Sequence, residues 1–422
     1  MPDKVEYLPG SNANTDCLNN SMSQNTFIEV EYFQFCKYKQ NAPGDVFFSQ
    51  KNPSDGRVIT VLSDGLGSGI KAGVLATLTA TMAAKFISYN IPIRKASKII
   101  MDTLPVCSVR KISYATFTLV DIAPDATVKI LEYDNPPYMF IRNEAAVEPP
   151  KRSTAFEQRD KPTGPKNDAN VLYSHFKAQS GDRLIFFSDG VSQAGIGNKA
   201  FPFGWTTAKA REFALQSVRE KPEISARELA RAVVRRASQI DQYKPKDDMS
   251  CGVIYFRRPR DMLVLTGPPV HRESDREIAN IFSSFIGNKV VSGGTTATII
   301  SRELNRKIKV NMKSFDKNIP PWSEMEGADM ITEGIITLGA VQSMLENRRE
   351  VEAHEGGQDA ASRMINLLLE NDRITFIVGT KINEAHQDPT MPVELEIRRN
   401  VIKSIANLLK EKYLKEVHIR YF

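Results

Sequence analysis

The alternation of apolar and polar positions changes character along the chain. From Phe27 the run FIEVEYFQF sets Ile28, Val30, Tyr32 and Gln34 against Glu29, Glu31, Phe33 and Phe35, the period-two pattern of a half-buried strand. A second strand opens at 46–48 and pairs with 58–62 across the KNPSDG turn. Past residue 69 the period becomes helical. Ile70, Val74, Leu75, Leu78, Met82 and Phe86 share one face and predict a long helix, and IPIRKASKIIMDTL predicts another. Strands return at YATFTLVDI, TVKILEY and YMFIRN, the last two separated by a DNPP turn. Residues 143–170 are polar with scattered prolines and predict a long loop around one short strand.

RLIFFSDG reads as a strand, followed by helices near 206–218 and 225–241 and a strand over SCGVIYFRR. Strands at both ends with helices between and after them predict a layered α+β domain that closes near Arg258, with RRPRD as its linker. Beyond it MLVLTGPP, KVVSGG and RITFIVGT are strands interleaved with helices such as DREIANIFSSFIG and RRNVIKSIANLLKEKY, the alternation of an α/β domain. EVHIRYF, with Val417, Ile419 and Tyr421 turned inward, closes it. Residues 1–26, rich in Asn, Ser and Gly, predict a flexible leader. The expected division is therefore 1–26, 27–258 and 259–422, with no repeat at solenoid periods.

Composition narrows the partners. At 422 residues, 41% hydrophobic and 25% charged, the chain is an ordinary globular protein with room for two or three domains. A net charge of +6 points to neither nucleic acid nor a membrane surface, although it suits an anionic substrate. Cys17, Cys36, Cys107 and Cys251 form no CxxC pair, which fits reduced thiols in a cytoplasm. The start of the chain lacks the layout of a signal peptide, and the most apolar stretch, 72–91, carries Lys85 and many threonines and reads as a packed helix. The expected location is cytoplasmic.

Acidic residues recur at strand ends. Asp64 follows VITVLS, Asp189 follows RLIFFS, Asp45 precedes the strand at 46–48, and Asp247 and Asp248 precede MSCGVIYF. One such Asp-Gly is an ordinary turn, and one Asp-Asp ordinary capping. Four at the ends of neighbouring strands place several carboxylates at one edge, where they repel unless a cation neutralises them. Oxygen donors without His or Cys select Mg²⁺ or Mn²⁺ over zinc. Gly65 and Gly190 let the backbone turn sharply after the two aspartates. Two such ions can activate water against a phosphate ester with no protein nucleophile.

GDVFF, VLSDGLGSGIKAG, LIFFSDGVSQAG and DDMSCGVIYF, in this order over residues 27–258, resemble the metal-dependent PPM (PP2C-like) serine/threonine phosphatases, and most of all their bacterial sporulation stage II E (SpoIIE) branch. DGLGSG is similar to that branch's Asp-Gly-Met-Gly-x-Gly signature, with Leu66 for Met, and DNPP to its Gly-His-Pro-Pro-like turn. The resemblance implies a PP2C-like α-β-β-α sandwich that hydrolyses phosphoserine or phosphothreonine on a bacterial regulatory protein by a metal-activated water. It implies two Mn²⁺ or Mg²⁺ ions, bridged by Asp64, with the Gly65 carbonyl on one and Asp189 and Asp247 completing the other. Asp248 would be a further ligand, and Asp45 would act through metal-bound water or a weaker ion. Lys37 and Lys39 stand where eukaryotic members carry a phosphate-holding arginine, so the clamp stays unassigned. The helices over 67–104 match the branch's switch that positions the metal ligands. A regulator similar to an anti-sigma-factor antagonist is the implied partner class, and a homodimer is left open.

In the second domain KVVSGGTTATIISREL, residues 289–304, reads as a strand, a Gly-Gly turn with Thr295, Thr296 and Thr298, and a helix whose free N–H groups could hold an anion. It matches neither phosphate-loop fingerprint, and a plain strand-to-helix turn is the favoured reading. Thr266-Gly267-Pro268-Pro269 is a second such loop, and the two could face one crevice. A competing function is thus a non-catalytic phosphoprotein-binding or ligand-binding regulator whose C-terminal domain takes a small anion or nucleotide. Arg227, Arg231 and Arg235 read as a solvated helix face, His386-Gln387-Asp388 as a surface turn, and PPWSEMEGADMITE as a loop and capped helix start.

Overall fold

A computed structural model describes residues 26–67, 69–103, 115–156, 169–311, 319–347, 357–380 and 391–422. They fall into two compact units that divide at Arg258 and Pro259. The leader over 1–25, Cys17, Cys107 and the turn at His386 lie outside the described residues.

Two antiparallel sheets make the first unit. One runs β2 (Asp45–Lys51), β3 (Val58–Gly65), β4 (Ala115–Ile122), β5 (Thr127–Tyr133), β9 (Ala169–Lys177) and β8 (Lys151–Phe156). The other runs β1 (Phe27–Phe35), β11 (Met249–Arg257), β10 (Arg183–Phe187), β6 (Met139–Arg142) and β7 (Ala145–Val147). Aromatic rings tie the sheets together: Phe47 of β2 stacks on Tyr32 of β1 at 4.4 Å and on Phe186 of β10 at 6.1 Å. The rings fit because β11 offers Gly252 there; a Cβ on it would lie 2.5 Å from Phe47. Helices α1 (Ile70–Ser88) and α2 (Ile93–Thr103) cover the first sheet. Helices α4 (Thr207–Glu220) and α5 (Ala226–Ile240) cover the second. The result is an α-β-β-α sandwich.

Several local expectations need correction. The buried side of α1 is its alanine face, Ala72, Ala76, Ala80, Ala83 and Ala84, while Ile70, Val74 and Leu78 of the apolar stripe are exposed. Small side chains let the helix backbone approach the sheet closely, and larger ones would hold it off. By length and composition alone Ile70–Ser88 could cross a membrane, yet its alanine side packs on β3 and β4. β1 is buried on both faces, because Glu29 pairs with Arg257 at 2.6 Å and accepts the Ala226 N–H at the start of α5. A carboxylate at a helix N-terminus meets the positive end of its dipole. The predicted loop at 143–170 contains β7, β8 and the first residues of β9, with 157–168 outside the described residues. In the arginine stripe Arg231 lies over the Phe33 ring at 5.2 Å, whereas Arg235 is exposed.

The second unit holds one seven-stranded sheet. Its order is β14 (Lys309–Val310), β15 (Ser323–Met325), β16 (Ala328–Thr332), β13 (Asn288–Ser292), β12 (Asp261–Thr266), β17 (Arg373–Val378) and β18 (Glu416–Tyr421). The five strands from β16 to β18 are parallel, and in chain order they read 3-2-1-4-5, the doubly wound arrangement. Helices α6 (Ser274–Ser284), α7 (Gly294–Leu304), α8 (Ile335–Glu346), α9 (Ala360–Glu370) and α10 (Met391–Tyr413) supply the crossovers. The acidic stretch expected as a loop and helix start instead forms the β15–β16 hairpin, its turn at Gly327 with φ of 77°. Of the closing strand's inward set only Val417 is fully buried, and Tyr421 is exposed.

Candidate active site

The aspartates singled out in sequence sit on two sheets that face one another. Asp45, first residue of β2, is the registered partner of Asp64 near the end of β3. Asp189 opens the single-turn helix α3 (Asp189–Ser192) directly after β10, and Asp247 and Asp248 lead into β11. Because β10 pairs with β11, these last three come together at one end of the second sheet. A Cβ on Gly190 would lie 2.1 Å from the Asp248 carbonyl oxygen and 3.3 Å from the Asp247 Cβ, so the two strand ends touch through a missing side chain. Gly65 plays the same part on the first sheet, where a Cβ would lie 2.2 Å from the Ala72 carbonyl oxygen in the first turn of α1.

Their electrostatics follow from this crowding. Burial pushes Asp45 up to about 8, although the Ser250 and Ser188 hydroxyls pull it back; the Asp248 and Asp189 charges add to the rise. Asp64 is held well above the usual carboxylate range, first by burial and then by the charges of Asp45, Asp189 and Asp247. Asp247 is raised by burial and by Asp189, with the Lys37 ammonium opposing. Aspartates from both sheets therefore share one field, which adds to the burial that raises Asp45, Asp64 and Asp247.

Asp248 has a different task. Its Oδ1 accepts the Lys37 N–H at 2.8 Å and its Oδ2 the Gly44 N–H at 2.7 Å, which fastens the segment before Asp45 to the opposite sheet. Asp45 itself is oriented by Ser250, whose Oγ donates to Oδ2 at 2.7 Å. The Ser250 N–H donates to Ser188 Oγ at 3.1 Å, and Ser188 Oγ donates to the Asp248 carbonyl at 3.3 Å. The Asp189 carboxylate accepts from Gln193 Nε2 at 2.8 Å. Ser188 and Ser250 are partners that sequence reading passed over; each lies within two residues of a singled-out aspartate, and that adjacency was the available signal. Asn135 of the DNPP turn was noticed only as part of a turn. It accepts from Thr116 Oγ1 at 2.5 Å and donates to Thr118 Oγ1 at 3.2 Å, beside the Thr116 that registers opposite Asp64.

Among the described residues no three His, Cys, Asp or Glu side chains are drawn into a closed ion cage. The donor set still fits a hard divalent cation. All of it is oxygen, burial and neighbouring acids raise Asp45, Asp64 and Asp247, and Mg²⁺ keeps several waters while taking only one or two carboxylates directly. Spaced aspartates around a hydrated ion satisfy that preference.

Residues 54–257 match the family model for stage II sporulation protein E (SpoIIE). Asp64, Gly65, Asp189, Asp247 and Asp248 fall inside the match and Asp45 precedes it. Among solved structures, the phosphatase domain of SpoIIE from Bacillus subtilis is 19% identical, covering 56% of this chain and 94% of that one with a TM-score of 0.39. The RsbU and RsbW domains of Rv1364c from Mycobacterium tuberculosis are 16% identical, covering 61% and 67% with a TM-score of 0.41. RsbX in complex with magnesium is 14% identical, covering 54% and 95% with a TM-score of 0.37. Comparison with curated proteins gave no match. Over residues 54–257 the chain is thus similar to the stage II sporulation protein E family.

Proposed function

We propose that the first unit removes phosphate from phosphoserine or phosphothreonine in a regulatory protein, and that it does so with two divalent cations, Mn²⁺ or Mg²⁺. The observation that carries the reading is the meeting of Asp45 and Asp64 from one sheet with Asp189 and Asp247 from the other, close enough that charge from the second sheet adds to the burial that raises Asp45 and Asp64. When bound, the cations would supply charge neutralisation and an activated water for in-line attack on phosphorus. Asp64, Asp189, Asp247 and the Gly65 carbonyl are the groups to hold them, with Asp45 contributing through water. Asp248, whose oxygens already accept two backbone N–H groups, sets the position of Asp45. Lys37, whose charge acts on Asp247, is the available cation for the phosphate.

In this reading residues 259–422 regulate the phosphatase, and the protein works in the cytoplasm on a partner of the type that a stress or sporulation regulator would be. The named RsbU–RsbW and SpoIIE structures support that partner class. The test is phosphate release from phosphoserine and phosphothreonine peptides by the full chain, with Mn²⁺ or Mg²⁺ and with chelator. Release should need metal and should vanish in Asp64→Asn and Asp189→Asn while circular dichroism is unchanged. Release that survives chelation, or survives in Asp64→Asn, overturns the proposal.

A further inference from the structure

The second unit carries an unsatisfied site of its own, on residues the phosphatase reading does not use. At the C-terminal edge of its parallel strands three loops converge: Gly267 after β12, Gly293 after β13, and Glu333 with Gly334 after β16. Each glycine has positive φ, 81°, 129° and 137° in turn. The point where a Cβ of Gly293 would stand is 3.9 Å from the Gly267 amide nitrogen, 3.9 Å from the Glu333 carbonyl and 3.5 Å from the Thr296 hydroxyl. Thr296 is 1% exposed, and that hydroxyl has no hydrogen-bond partner within the protein. A buried hydroxyl left unpaired is costly, and native proteins rarely keep one without a reason. Thr337, third residue of α8 as Thr296 is of α7, is buried in the same way and also lacks a partner.

Charge distinguishes the two helix starts. The Glu333 carboxylate folds back onto the Ile336 N–H at 3.4 Å, so the positive end of α8 is already met by an acid. The start of α7 has Gly293 as its cap, no side-chain cap bond and no acidic residue in its first turn. A cation stands close by, since a Cβ on Gly267 would lie 2.9 Å from Nη1 of Arg398 on α10. The 3-2-1-4-5 strand order puts these loops at the carboxyl edge where doubly wound sheets bind ligands.

We infer that this edge binds the phosphate group of a small molecule, held by the Thr295 and Thr296 N–H groups of α7, the Gly294 N–H being taken by the Glu333 carbonyl at 3.2 Å, together with the Thr296 hydroxyl and the Arg398 guanidinium. The wide first loop over 267–273 differs from a tight dinucleotide fingerprint, so the shared chemistry is phosphate, whether free or on a nucleotide. The inference stands independently of the phosphatase reading.

Binding is measured by calorimetry and thermal shift on the full chain in chelator, which keeps cations from recruiting phosphate to the aspartates. The probes are inorganic phosphate, pyrophosphate, ADP and adenosine. ADP or one of the inorganic anions should bind and raise the melting temperature, and adenosine should not; pyrophosphate acting as well as ADP identifies a simple phosphate site, and ADP alone a nucleotide site. Thr296→Val, which removes only the unpaired hydroxyl, should melt no lower than the parent without ligand and bind about tenfold or more weakly, as expected for losing one hydrogen bond to a charged group. Arg398→Gln should weaken binding as well. Absence of binding by all three phosphate probes, equal binding by adenosine, parent-like affinity in Thr296→Val, or a lower melting temperature of unliganded Thr296→Val would overturn the inference.

Discussion

Asp45 and Asp64 face each other as registered partners on β2 and β3, two carboxylates on one antiparallel ladder. Like charges placed opposite each other across strands destabilise a sheet, and here burial adds to the cost. In chelator Asp45 therefore folds in its protonated form. Its pKa rises from 3.8 unfolded to about 8 folded, so folding takes up a proton between those limits. The contribution of this group is fully present below about pH 4 and is lost as pH rises through about 8. Urea unfolding across that window should show falling stability in chelator, and Asp45→Asn should flatten the slope.

Adding Mg²⁺ should reverse the trend. A cation favours the ionised carboxylates, so stability at alkaline pH should rise with metal concentration in the parent and rise less in Asp64→Asn. Melting temperatures at fixed pH with titrated Mg²⁺ report both.

Asp247 and Asp248 are neighbours in sequence with separable roles. Asp248→Ala strands the Lys37 and Gly44 N–H groups and should cost about 3 kcal/mol in stability. Asp247→Ala removes a carboxylate raised by burial and by the Asp189 charge and should leave stability unchanged or improved, while phosphate release is lost. Unfolding curves and activity together separate the two variants.

The exposed stripe of α1 gives an inverted expectation for core and surface. Leu78→Lys should change stability by no more than about 0.5 kcal/mol, because Leu78 is exposed. Ala80→Leu, on the smaller but fully buried side, should cost about 1–3 kcal/mol by overpacking against β3 and β4.

The buried pair of Glu29 and Arg257 offers a further check. Glu29→Ala leaves the guanidinium buried without its 2.6 Å partner and removes the acceptor for the Ala226 N–H. A loss of about 3–5 kcal/mol is expected in chemical denaturation.

Much of this architecture could be read from the chain, and the misreadings share a cause. The strands carrying Asp64 and Asp189 were plain because each is an uninterrupted apolar run ending at a glycine turn, a purely local signal. The packing side of α1 was not, since periodicity ranks positions by size and apolarity, while the sheet selected alanines for close approach. Glu29 looked solvent-facing because alternation cannot show that Arg257 and the start of α5 meet it. The β15–β16 hairpin was hidden by its acids, which local rules assign to a helix start. For the site, the aspartates were legible and their supports were not. Ser250 acquires its meaning from Asp45, a residue that no local window around it contains.

That distance has a consequence for biosynthesis. Ser250 and Asp45 are 205 positions apart, and Asp248 and Gly44 are 204 apart, so the first carboxylate of the constellation is fixed by the last strand of its unit. A ribosome that has not yet released β11 carries a chain with its acids in hand and nothing to aim them. Under the proposed function, a nascent or clipped fragment that ends before this strand takes its place between β1 and β10 should release no phosphate.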